Sequence, residues 1–122
     1  MDVFIGALRG AICVSDDQKE LIDKAVPALF TALLEKNHLT EQDLAFIMFT
    51  QTGDLKSRNP AYSLRHAGYC STVPLFGMQE MEIEGMLEKV IRIMIVTNKK
   101  IESPVHVYMD GAEKLRPDLK IE

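Results

Sequence analysis

Two rhythms of apolar positions run along the chain. Between Leu21 and Leu34 the apolar residues fall in pairs: Leu21 with Ile22, Ala25 with Val26, Leu29 with Phe30, Leu33 with Leu34. That beat keeps one stripe on one side of a helix, which the pattern carries to Asn37. The preceding "SDDQKE" offers Ser15 or Asp16 as N-cap and acidic residues for the first turn. Pro27 interrupts the stripe. An interior proline deletes one backbone hydrogen bond, so a bend is expected there and not a break.

The second rhythm is that of strands. Val3 to Val14, Leu44 to Thr50, Thr72 to Met81, Val90 to Thr97 and His106 to Leu115 are rich in branched and apolar residues bounded by polar turns. Leu87, Val90, Ile91 and Met94 also fit a helical spacing, but the density of β-branched residues in "KVIRIMIV" decides for a strand. "NPAYSLRHAG" reads as a short helix, with Asn59 as N-cap, Pro60 in the first helical position and Gly68 at the stop. The sum is an α/β (α+β) fold: a mixed sheet of about five strands with one long and one short helix. No repeat, low-complexity segment or linker divides residues 1–122, so a single domain is expected.

Composition narrows the function. The 122 residues are 47% hydrophobic and 26% charged, ordinary values for a folded domain. Fourteen basic against eighteen acidic residues leave a net charge of −4, which weighs against a nucleic-acid partner. No stretch approaches the about 20 apolar residues that span a bilayer. "VFIGALRGAICV" carries an arginine and lacks a basic leader, so neither membrane nor export is expected and the location reads as cytoplasmic. Cys13 and Cys70 form no CxxC pair and are expected to be reduced and partly buried.

Arginines draw attention next. Arg92 stands inside the apolar run of a predicted core strand, and Arg9 between Leu8 and Gly10 in the first strand. One such arginine is usually a stem on apolar surface with its head in water. Two in one small domain point to a shared anionic ligand. Glu80, Glu82 and Glu84 alternate and would share one face of a strand, yet no histidine or aspartate at matching spacing completes a metal site. His38, His66 and His106 form no ligand pattern, and no nucleophile elbow or phosphate loop is present. Chemistry by binding and electrostatics is favoured.

"LRGA", "NPAYSLR", "MQEMEIEG", "VIRIMI", "HVY" and "LRPDL" follow one another in the order and at the separations of a known family. Over nearly its whole length the chain resembles the monofunctional, trimeric chorismate mutases of the pseudo-α/β-barrel class. The resemblance implies a homotrimer with active sites in clefts between subunits. It implies conversion of chorismate to prephenate, on the route to phenylalanine and tyrosine, without cofactor or metal. It assigns Arg92 to the ether oxygen and a carboxylate, Arg9 and Tyr108 to a carboxylate, and Glu80 to the ring hydroxyl. Arg65 and Arg116 would add positive potential at the cleft mouth, and Leu115, Ala61, Asn59 and Gly77 would line the cleft. The tail from about Arg116 is expected to order over bound ligand.

Three positions depart from the family pattern. Gly77 stands where cysteine or another small polar residue is usual, Asn59 where phenylalanine is usual, and Tyr62 where lysine is common. An active but weaker enzyme is the expectation. A non-catalytic trimer that senses a small carboxylate, and a trimeric deaminase of reactive imines and enamines, remain as alternatives. The deaminase leaves Glu80 and "LRPDL" without a use.

Overall fold

The computed structural model describes residues 4–117. Strand β1 (Gly6–Cys13) leads into helix α1 (Lys19–Lys36), then β2 (Leu44–Gln51), helix α2 (Pro60–His66), β3 (Leu75–Gln79), β4 (Val90–Thr97) and β5 (Val107–Met109). Single 3-10 turns occupy Glu41–Asp43 and Ala112–Leu115. The strands form one mixed sheet in the order β3-β2-β4-β1-β5. β4 lies at its centre, antiparallel to both β1 and β2, while β3 and β5 join the edges in parallel.

Several boundaries differ from those the sequence suggests. α1 begins at Lys19 with Gln18 as N-cap, and neither Ser15 nor Asp16 caps it. The acids before it are engaged elsewhere: Asp17 accepts from the backbone N–H groups of Lys56 and Ser57, at 3.0 and 2.9 Å. The helix runs through Pro27 to Lys36. β5 is three residues long and does not continue to Leu115. Asp110 and Gly111 both take positive φ, at 52° and 101°, and turn the chain into a 3-10 helix instead. β3 likewise ends at Gln79, so Glu82 and Glu84 sit in a loop and share no strand face with Glu80. α2 follows its local signals: the Asn59 side chain accepts from Ala61 N at 2.9 Å, Pro60 opens the helix, and Gly68 takes φ 94° just beyond it.

One face of the sheet packs on the helices. Ile91, Ile93 and Ile95 of β4 join Leu8, Ile12, Ile47 and Phe49 against Ile22, Leu29, Phe30, Leu33 and Leu64. At Gly10 the approach is close enough that a Cβ would sit 2.8 Å from the Val107 carbonyl and 3.1 Å from Leu29 and Leu33. The opposite face carries the other parity: Arg9 on β1, Arg92 and Met94 on β4, Phe46 and Met48 on β2, Phe76 and Met78 on β3. Among the described residues that face is covered only near β5, where Ala11, Val90, Tyr108 and Ala112 bury together beside Leu87 and Leu115. Arg92 is therefore not set in the helix-packed core that the apolar run implied. It stands on the open face with its side chain 47% exposed.

Candidate active site

The sheet order brings together residues that are remote in sequence. Across β4, Arg92 pairs with Ala11 of β1 and with Thr50 of β2, and Met94 pairs with Arg9. Tyr108 of β5 pairs with Ala11 and is buried. Arg9, Arg92 and Tyr108 thus line one recess of about 230 Å³ with Met48, Thr50 and Met94. Its floor is strand, which sets where both arginines start, and Arg9 and Arg92 themselves remain exposed to solvent.

Glu80 completes this group. Its backbone N–H donates to Gln51 O at 2.8 Å, which extends the β2–β3 ladder one residue past Gln79. Its side chain then reaches Arg92, whose Nε donates to Oε1 at 2.6 Å. The carboxylate is only 14% exposed, and among the described residues its buried Oε2 has no hydrogen-bond partner, nor does Thr50 Oγ1. Burial raises the Glu80 pKa, and the Arg92 charge pulls it down by less. A buried acceptor without a donor is costly unless a ligand supplies one. The cluster thus sets two guanidinium groups beside an acceptor that still lacks a donor.

The remaining candidates lie around this centre or apart from it. Leu115 shares with Arg92 a second recess of about 720 Å³, which Leu87, Lys89 and Lys114 also line. Arg116 follows Leu115 directly and its charge acts on His106. Residues 118–122, where most of the expected ligand-covering tail falls, lie outside the described residues. Asn59 and Gly77 line a different pocket of about 220 Å³ with Gln51, Met78 and Gln79. A Cβ at Gly77 would meet only Asn59 Oδ1, at 3.7 Å. Gly77 has the parity of Leu75, which packs on the helix-side core, so this pocket opens on the opposite face from Arg92. Ala61 is buried in α2 nearby. Arg65 does not join the arginine recess of its own chain: it donates to the carbonyls of Cys70 and Val73 at 3.3 and 3.2 Å.

Two residues of the cluster have no sequence signal of their own. Thr50 faces Arg92 only because β2 and β4 are neighbours, and His106 Nδ1 accepts from the Arg9 backbone N–H at 3.0 Å across 97 positions of sequence. Among the described residues no group of three or more His, Cys, Asp or Glu could hold a metal ion. Cys13 and Cys70 are free, and burial pushes the Cys70 thiol up to about 12, which makes it a poor nucleophile. No helix among the described residues is long and apolar enough to cross a membrane.

Residues 5–119 match the family described as chorismate mutase type I. This chain belongs to that family. It is 37% identical over 119 residues to the chorismate mutase AroH of Thermus thermophilus, covering 95% of this chain and 97% of that one. To the chorismate mutase AroH of Bacillus subtilis (strain 168) it is 32% identical over 121 residues, covering 98% and 95%. A solved chorismate mutase from Clostridium thermocellum superposes with a TM-score of 0.84 at 38% identity, over 89% of this chain and 98% of that one.

The chain also ties α2 firmly to α1. Asp23 of α1 takes both Nε and one NH2 of Arg58, at 3.0 and 2.9 Å, and the Ser63 hydroxyl at 2.7 Å. Burial acts to raise the Asp23 pKa, but the bonds from Ser63 and Arg58 prevail and lower it. Arg58 lies over the Tyr62 ring at 4.6 Å, and Tyr62 stacks on His66. These contacts hold α2, and with it Asn59, Ala61 and Arg65, against α1.

Proposed function

We propose that this type I chorismate mutase converts chorismate to prephenate in clefts shared between subunits of a homotrimer, by electrostatic stabilisation and without metal or cofactor. The rearrangement is pericyclic, so no proton or nucleophile is required of the protein. The substrate has two carboxylates, and in the transition state the breaking C–O bond leaves extra negative charge on the ether oxygen. Arg92 would donate to that oxygen and to one carboxylate, and Arg9 with the Tyr108 hydroxyl would hold a carboxylate. The unpartnered Oε2 of Glu80 would accept from the ring hydroxyl.

The single observation that carries this reading is the Arg92–Glu80 pair on the open side of the sheet, with Arg9 and Tyr108 in the recess that Arg92 lines. It is also what the deaminase and carboxylate-sensor readings leave unused, since neither needs an acceptor for a ring hydroxyl beside the cation. Assembly is supported by two facts. The open face exposes Phe46, Phe76, Met78 and Met94, an apolar surface that isolated small domains seldom leave uncovered. The pocket of Asn59 and Gly77 shares no lining residue with the Arg9–Arg92 recess, so within one chain the two sets line separate recesses. Arg65, Arg116, Leu115 and Ala61 would then complete the cleft wall.

Following chorismate loss and prephenate formation with purified protein tests the activity. Steady turnover is expected, weakened by Gly77 and Asn59. An inert, folded and fully assembled protein would overturn the assignment.

A further inference from the structure

We propose that His106 is a positioning residue for Arg9 and Tyr108, and that its neutral imidazole keeps the carboxylate-holding half of the site in register. The inference rests on the roles given above to Arg9 and Tyr108. Its origin is one contact. The ladder between β1 and β5 begins at Gly10 and Val107, so the Arg9 N–H lies just ahead of the first pair. The His106 ring fills that place, with Nδ1 accepting from Arg9 N at 3.0 Å. β5 has only three residues, and this bond therefore adds appreciably to what holds its beginning against β1.

An accepting Nδ1 places the proton of the neutral ring on Nε2. Protonating Nδ1 would set a donor against the Arg9 donor and end the contact. The charges acting on the ring are the guanidinium groups of Arg9, from β1, and of Arg116, beyond the 3-10 turn, and both are positive. With burial, the largest influence, they lower the His106 pKa from its ordinary 6.5. The ring cannot shift freely to escape. Val105, the residue before it, is held to the end of α1 by two bonds: its N–H donates to Asn37 Oδ1 at 2.8 Å and its carbonyl accepts from Asn37 Nδ2 at 2.9 Å. Strain from protonation therefore falls on the β1–β5 seam, between Arg9 and Tyr108. Arg92 and Glu80 stand on the other side of β1 and are spared.

The device should show in substrate binding more than in turnover. His106→Asn puts a non-titrating oxygen where Nδ1 was, whereas His106→Leu deletes the acceptor. We expect His106→Asn to keep KM within about twofold of wild type at about pH 7.5, and to lose the His106-dependent rise in KM expected of wild type as pH falls through the His106 pKa read by NMR. His106→Leu should raise KM about tenfold at every pH, with kcat changed by about twofold or less. In ¹⁵N NMR the His106 imidazole, identified by its absence from His106→Asn, should be the Nε2–H tautomer and titrate below 6.5. Wild-type KM in His106→Leu, a KM–pH profile of His106→Asn that superposes on wild type, or an Nδ1-protonated ring near neutrality would each overturn the proposal. The NMR readout needs no turnover, so a protein inert toward chorismate would remove the activity reading while the ring still reports on its contact with Arg9.

Discussion

Arg92 and Glu80 form a pair in which each residue sets the other's state. The guanidinium is half exposed on strand β4, and the carboxylate that holds its Nε is nearly buried. Lysine in place of Arg92 keeps the charge but loses the planar fork that can meet an ether oxygen and a carboxylate together. Arg92→Lys is expected to lower kcat by ~10²–10³, the usual cost of one preorganised donor. A wild-type kcat would mean that the arginine only snorkels. Glu80 makes a prediction about stability. Its folded pKa lies above the ordinary 4.5, so its contribution is fully present below 4.5 and is lost as pH rises through the raised value. Glu80→Gln cannot ionise and still offers Arg92 an acceptor. Its Tm relative to wild type should therefore climb between pH 4.5 and neutrality while its kcat falls. A Tm difference that stays flat with pH would show that Glu80 carries no ionisation penalty.

Helix α2 carries Ala61 and Arg65 with Asn59 at its cap, and Asp23 of α1 holds it in place. Asp23 accepts three bonds from Arg58 and Ser63 and has a lowered pKa, so its stabilisation is present above the ordinary 3.8 and is lost as pH falls through the folded value. Asp23→Asn should cost about 1–2 kcal/mol near neutrality, the pair being partly screened by solvent. Denaturant melts should show that gap closing below pH 3.8. A gap that persists in acid would point to packing and not to charge. The elements themselves were legible to different degrees, and locality decides which. α2 followed from Asn59, Pro60 and Gly68 because cap, first turn and stop are neighbours in sequence. The start of α1 was misplaced because Asp17 is bonded to the 56–57 backbone, far along the chain. β5 is shorter than its apolar run suggests because the turn dipeptide Asp110–Gly111 reverses the chain straight after Met109. "VIRIMIV" hid its two faces, since Met94 and Val96 are as apolar as the isoleucines they alternate with. Arg92 and Glu80 could be singled out by resemblance, whereas the place of Thr50 and the contact of His106 with Arg9 required the strand order.

At the scale of the whole molecule, the sheet is a layer with helices on one side and exposed apolar side chains on the other. We expect light scattering to give a trimer at micromolar protein, and Met94→Glu, which puts a charge on the open face, to lose assembly and activity together. A monomer with full activity would refute the shared cleft. The placement of Arg92 and Gly77 on opposite faces also has a genetic consequence. If each cleft takes the Arg92 face from one chain and the Gly77 pocket from the next, two different dead alleles can make a living enzyme. A chain with Arg92→Lys and a chain with Gly77→Trp, whose bulk would fill the Asn59 recess, should each be nearly inactive alone. Co-expressed in equal amounts and assembled at random, about a quarter of the clefts would inherit an intact half from each parent. Selection for growth would then see complementation inside a single locus, a signature that no one-chain active site can produce.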